Sequence, residues 1–194
     1  MLRALISDLD GTLVHIPVDW SRVKAELSSI VGFEVQSIFN LLREARSRSE
    51  ELYLQLSRAI ERFEVEAIPH IEVAEGAREL LEHLKARGVR VGIVTLQSLR
   101  ALERVLAVSG LRPYVDAWVT REEELDRAEQ VKKALKKLGV DRGLVVFMGD
   151  RETDLEAGLR LRIPTIIIGD RLGAGNPLTP ACAMSLVMEK LCLR

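Results

Sequence analysis

The hydrophobic pattern of this 194-residue chain changes period twice. It opens with a short apolar run, Leu5 and Ile6, that ends in the polar stretch Ser7-Asp8-Leu9-Asp10-Gly11-Thr12. Between Asp19 and about residue 70 the apolar positions then recur at helical spacing. Val23, Leu27, Ile30 and Val31 share a face that Asp19 can cap. Ile38, Leu41, Leu42 and Ala45 form a second stripe, and Leu52, Leu56, Ala59, Ile60 and Phe63 a third. Ser47-Arg48-Ser49-Glu50 reads as a capping box that starts the third helix. The alternative is one long bent helix through both stripes.

From residue 71 the pattern alternates between two periods. Helix stripes at 77–84, 99–106, 128–138 and 153–162 are separated by β-rich runs at Val89–Val94, Val115–Val119, Leu144–Met148 and Pro164–Ile168. Gly88, Gly110 and Gly139 close three of the helices, and Ser98 caps one. Strands alternating with helices of this length predict βαβ units and a parallel sheet buried on both faces. The expected fold is therefore α/β, a Rossmann-like three-layer core with a small helical cap inserted after the first strand. The core takes residues 1–14 and 71–194, and the cap residues 15–70. Pro17 helps keep the link into the cap non-helical. The tail from Asp170 is punctuated by Gly and Pro, with a last helix expected at Met184–Leu191.

Composition narrows the function classes. Lys and Arg number 28 against 29 Asp and Glu, a balance that gives no support to nucleic-acid or membrane-surface binding. No apolar run reaches the length of about 18 residues needed to span a bilayer. The start of the chain lacks a signal-peptide core, and Cys182 and Cys192 are too few for a disulfide framework or a zinc site. A cytoplasmic protein is expected.

The chemistry concentrates where strands end. Asp8 and Asp10, at i and i+2, share one side of an extended chain, and Gly11 lets the backbone turn sharply after them. Two carboxylates about 4 Å apart at an effective dielectric of about 20 repel by roughly 4 kcal/mol. A hard divalent cation with oxygen ligands, Mg²⁺, relieves that repulsion. Ligands in open parallel sheets sit at the carboxyl ends of the strands, and Thr95, Asp150 and Asp154 fall there as well.

Asp8-Leu9-Asp10-Gly11-Thr12 resembles the signature of the haloacid dehalogenase superfamily, most of whose members are phosphatases. Gly149-Asp150-Arg151-Glu152-Thr153-Asp154 is similar to its Gly-Asp-x-x-x-Asp metal motif. The likeness extends to the phosphoglycolate phosphatase group. It implies that Asp8 is the nucleophile and Asp10 the general acid, and that Thr95 holds phosphate oxygens. It also implies a Mg²⁺ site from Asp8, Asp10, Asp150 and Asp154, and a small phosphorylated substrate. The activity implied is hydrolysis of a phosphomonoester through an aspartyl-phosphate. The rivals are a phosphomutase of the β-phosphoglucomutase type and a non-catalytic binding module. Leu96 stands where many relatives carry Asn.

The family's phosphate-bridging lysine has no clean counterpart. Gapless registration puts Leu125 at that position, and Arg127 lies two residues later in the first turn of the helix. Arg127 is the expected substitute, with Lys132 and Lys133 as alternatives. Of the remaining polar residues, His83 reads as a surface residue. His15 and His70 mark the crossings into and out of the cap. Trp20 is assigned to the cap's own core, and Arg43, Arg46 and Arg48 to a solvated, salt-bridged face.

Overall fold

The computed structural model describes residues 2–169 together with Ala181, Ser185 and Leu186. Of the expected last helix only Ser185 and Leu186 are described, both helical, and both cysteines lie outside the described residues. Among the described residues five strands form a parallel sheet: β1 (Ala4–Ser7), β4 (Arg90–Val94), β5 (Ala117–Val119), β6 (Val145–Gly149) and β7 (Thr165–Ile167). Their spatial order is β5-β4-β1-β6-β7, so the first strand lies at the centre, with β4 on one side and β6 on the other.

Alternation along β1 sends its side chains to opposite faces. Leu5 packs with Leu81, Val91, Leu102 and Val146 beneath α4 (Ala77–Ala86) and α5 (Leu99–Ser109). Ala4 and Ile6 pack with Val131, Phe147 and Leu161 beneath α6 (Arg127–Leu138) and α7 (Glu152–Leu161). Burial on both faces explains the continuous apolar runs of β4 and β6 and gives the expected three layers.

The helical insertion comprises α1 (Trp20–Val31), α2 (Ile38–Arg48) and α3 (Glu50–Ala67). Asp19 caps α1 through the N–H groups of Ser21 and Arg22. The second and third stripes are separate helices, not one bent rod. Ser49, at φ −154° and ψ 115°, both ends α2 and begins α3. The cap of α3 is thus Ser49, which accepts from Leu52 N–H at 3.2 Å, and not Ser47. Ser47 is spent inside α2, where its hydroxyl donates to the Glu44 carbonyl. The chain enters and leaves this block through an antiparallel ribbon, β2 (Val14–His15) on β3 (Glu72–Val73), which the hydrophobic pattern was too short to announce.

The block is not an independent ball on a stalk. Leu27, Tyr53, Leu56 and Ile60 belong to the same apolar cluster as Leu5, Leu81 and Leu102. A buried ion pair reinforces the junction: Arg121, in the loop after β5, meets Glu64 of α3, with both side chains essentially without solvent exposure. Arg121 also donates to Ser57 Oγ and Ser57 O, each at 2.9 Å, and to the Leu96 carbonyl at 2.9 Å. Glu64 accepts the Ser98 N–H, and the Arg121 carbonyl accepts Tyr53 Oη–H at 2.8 Å. Burial raises the Glu64 carboxyl above its usual range, against the pull of the Arg121 guanidinium. Arg46 completes the junction by donating to the carbonyls of Arg121 and Glu122. Arg46 is exposed as expected, but its partners are these carbonyls rather than a carboxylate, whereas Arg48 forms the expected salt bridge, pairing with Glu44 at 2.7 Å.

Candidate active site

The site is built at the carboxyl edge of β1, β4 and β6. Asp8 prolongs β1, its N–H donating to the Met148 carbonyl at 2.8 Å, and its side chain is almost wholly buried. Leu9 then turns the chain by accepting the N–H groups of Leu13 and Val14. In that turn Asp10 accepts the Ile16 N–H on Oδ1 at 2.9 Å, which ties its carboxyl to the first link into the cap.

Two glycines let the carboxylates converge. Gly11 sits at φ +87°, and a Cβ there would collide with the Asp150 carboxylate. Gly149, the last residue of β6, lies so close to Asp154 that a Cβ would collide with its carboxyl group. Asp154, fully buried in the first turn of α7, accepts the N–H groups of Asp150 (3.2 Å) and Arg151 (3.1 Å) on Oδ2. The loop after β6 is therefore folded around its own carboxylate.

Arg127 enters from the first turn of α6, where Asp126 is the N-cap. Its Nη2 donates to Asp8 Oδ1 at 2.8 Å, and its Nε lies 2.9 Å from Asp154 Oδ1. Its Nη1 donates to the Val94 carbonyl and to Gln130 Oε1. Lys132 and Lys133 point elsewhere, to Glu129 and Glu124. Leu125 is buried in the apolar core. Burial pushes the Asp8 carboxyl up to about 7; Arg127 opposes the rise, and Asp154 and Asp150 add to it. Burial also opposes the Arg127 charge, but Asp8 and Asp154 outweigh it and hold the guanidinium above its usual range.

Thr95 follows β4 and is buried, its Oγ1 accepting the Gln97 N–H at 3.1 Å. Its carbonyl accepts from Gln130 Nε2 at 2.8 Å. Gln130, fully buried, thus braces both Thr95 and Arg127, a role that sequence reasoning missed. The available signal was a Gln one turn from Arg127, beside Ala128, Val131 and Ala134 on a face otherwise apolar.

Asp8, Asp10, Thr95 and Arg127 border a cavity of about 350 Å³ beneath α1 and α2. Trp20 faces this cavity as well as packing on the core cluster, so it is more than cap interior. A neighbouring hollow of about 370 Å³ takes in His15, Asp10 and Arg151. His70 borders neither, and His83 is half-buried, with Arg87 Nη1 at 2.8 Å from its Nδ1.

The donor chemistry fits a hard cation. Mg²⁺ is commonly held by one or two carboxylates, with waters filling the remaining positions. Among the described residues no three His, Cys, Asp or Glu side chains form a ready cluster. What the structure brings together is a smaller set, the Asp8 carboxylate and the Asp150 carboxylate that lies against Gly11, next to Asp10 in the chain. Asp154 is engaged by Arg127 and by two N–H groups, which suits a supporting position.

A parallel sheet thus carries buried aspartates along one edge, under a helical insertion. The chain belongs to the haloacid dehalogenase-like hydrolase family, whose model matches residues 5–168. It is 25% identical to a putative pyrophosphatase PpaX of Clostridium perfringens over 91% of both chains. It is also 25% identical to a phosphoglycolate phosphatase of Cereibacter sphaeroides, covering 84% of this chain and 85% of that one. Among solved structures it resembles CbbY of Rhodobacter sphaeroides in complex with phosphate, with a TM-score of 0.68 and 22% identity. That likeness covers 87% of this chain and 86% of the other. The chain is thus an enzyme of the family's phosphatase kind.

Proposed function

We propose that this enzyme is a Mg²⁺-dependent phosphatase that hydrolyses a small phosphomonoester through an aspartyl-phosphate on Asp8, with residues 15–70 as its cap. The observation that carries this reading is the Arg127 guanidinium held between Asp8 and Asp154 beside Thr95 and Asp10. A cation gripping the nucleophile is already placed to grip a phosphate oxygen when the substrate arrives.

In the first half-reaction an Asp8 carboxylate oxygen attacks phosphorus and the bond to the leaving oxygen breaks, while Asp10 gives that oxygen its proton. Arg127 and Thr95 hold the non-bridging oxygens as charge builds on them. In the second, Asp10 takes a proton from the water that attacks the phosphoenzyme, which releases phosphate and regenerates Asp8. The Ile16 N–H, bound to Asp10 Oδ1, positions this carboxyl for both transfers. Asp8, Asp150 and the Asp10 carbonyl would hold Mg²⁺, with Asp154 in support, and the ion would supply countercharge for the phosphate dianion. The cap excludes bulk water.

The reading extends to a cytoplasmic setting and a small-molecule substrate. Among the described residues no helix is long and apolar enough to cross a membrane. The test is a screen of phosphorylated metabolites with and without Mg²⁺, run beside Asp8→Asn. Mg²⁺-dependent phosphate release that the variant abolishes supports the proposal. Release close to wild type from Asp8→Asn refutes the aspartyl-phosphate. An isomerised sugar phosphate would instead indicate a mutase, and silence a binding module.

A further inference from the structure

The cavity above Asp8 and Asp10 has a composition that the phosphoryl chemistry does not require. Its wall is made by Trp20, Ile38, Phe39, Leu42, Ile60 and Leu96. Leu96 follows Thr95 directly, and its carbonyl is tied to Arg121, so this apolar side chain stands on a fixed backbone next to the phosphate position.

The polar groups around the same space are mostly occupied. Arg121 and Glu64 satisfy each other, and Ser37 caps α2 by accepting the Asn40 N–H. Arg127 is held by Asp8 and Asp154. Gln36 and Arg151 border the space from exposed positions, and two further groups retain capacity. Gln97 is 4% exposed, and its Oε1 is buried with no hydrogen-bond partner among the described residues. Lys24, on the exposed side of α1, borders the cavity, and no carboxylate among the described residues pairs with it. Arg151, 3.9 Å from Asp150, stays with the aspartate edge, so away from that edge the space offers Lys24 as its cation, one orphan acceptor and a largely hydrocarbon wall.

We propose that this cavity selects phosphomonoesters of compact, ring-sized apolar alcohols that carry one anionic group, with Lys24 taking the anion and Gln97 accepting at most one donor. The inference rests on the phosphatase reading and names the leaving group for it. A sugar phosphate would set several hydroxyls against Leu42, Phe39 and Ile60, where nothing replaces their water. A two-carbon acid would leave most of the wall wet.

The test compares kcat/KM for four unactivated primary phosphates: 4-carboxybenzyl phosphate, benzyl phosphate, glucose 6-phosphate and phosphoglycolate. The carboxybenzyl ester is expected to exceed glucose 6-phosphate by about 100-fold, the scale on which apolar pockets discriminate against added hydroxyls. It should exceed benzyl phosphate by about tenfold, the effect of one partly screened ion pair. Lys24→Ala should shrink that second ratio towards one, and Gln97→Leu should leave it standing. Glucose 6-phosphate or phosphoglycolate as the best of the four overturns the proposal, as does a charged-to-uncharged ratio that Lys24→Ala does not change. Para-nitrophenyl phosphate separates the two levels of failure. Its hydrolysis with no preference among the four sinks the selectivity alone, whereas no release from any ester sinks the phosphatase reading. In that second case, calorimetric affinities for the same four ligands decide whether the cavity prefers the ring.

Discussion

Removing the Glu64 carboxylate should destabilise the whole molecule and slow it as an enzyme. Arg121 is the largest fully buried side chain of the described residues, and Glu64 is its countercharge. In Glu64→Ala the guanidinium keeps its bonds to Ser57 and Leu96 but faces no negative group. Breaking a buried pair in this way costs about 3–5 kcal/mol. Against a total stability of about 5–15 kcal/mol, that is a large share. For a domain of this size, each kcal/mol shifts Tm by about 2–4 °C, so the expected fall is roughly 6–20 °C. Urea unfolding followed by tryptophan fluorescence measures the loss directly. Glu64→Gln, which retains an acceptor, should lose less. Glu64→Leu combined with Arg121→Met should recover most of the stability, because the isolated charge is gone and the volume is filled. The same lesion should lower kcat/KM well below the melting temperature, since Glu64 and Arg121 hold Ser98 and Leu96 on either side of Gln97, two residues from Thr95. A Glu64→Ala protein within about 1 kcal/mol of the parent, below any buried-pair cost, would refute the reasoning.

Three further outcomes are expected. Arg127→Ala should lower kcat by about 100-fold or more, the scale of one lost oxyanion donor, with Arg127→Lys intermediate and Lys132→Ala unchanged; an active Arg127→Ala enzyme would move the bridging role elsewhere. Asp10→Asn should cost at least about 100-fold in phosphate release, and full activity would dismiss it as the general acid. Without metal the Asp8 carboxyl sits at about 7, above its unfolded value of 3.8, so its proton stabilises the folded state at low pH and that contribution is lost as pH rises through about 7. Mg²⁺ competes with the same proton, so calorimetric Mg²⁺ affinity should climb with pH and level off above about 7. A pH-independent affinity would remove Asp8 from the ligand set.

The sheet edge was legible because strand ends announce themselves. Apolar runs that stop at Asp8, Thr95 and Asp150 are short-range signals, and parallel topology brings such ends together. Arg127 was legible only by noticing a cation near an expected one. The Glu64–Arg121 pair was not readable at all. Each residue sits in a charged neighbourhood, Glu61 to Glu66 and Arg121 to Glu124, where solvated faces are the ordinary outcome. Only the approach of α3 to the loops after β4 and β5 buries these two and leaves their neighbours in water. Ser47 and Ser49 show the limit of local grammar. Both fit a helix start, and the extended backbone at Ser49 decided between them.

The position of β1 also bears on the order in which the molecule comes together. Ala4 pairs with Arg90 on one side and with Val145 on the other, so both neighbours of the first strand arrive far later in the chain. Contacts of such long sequence separation form slowly, because a large loop must close before any of them is gained. The helices α1, α2 and α3 meet one another locally and can form before that closure. During synthesis Asp8 therefore leaves the ribosome long before β6 and waits for that strand before it gains its place beside Asp150. The aspartate edge cannot exist before β6 arrives, and a chain stopped short of Gly149 carries Asp8 with no Asp150 beside it.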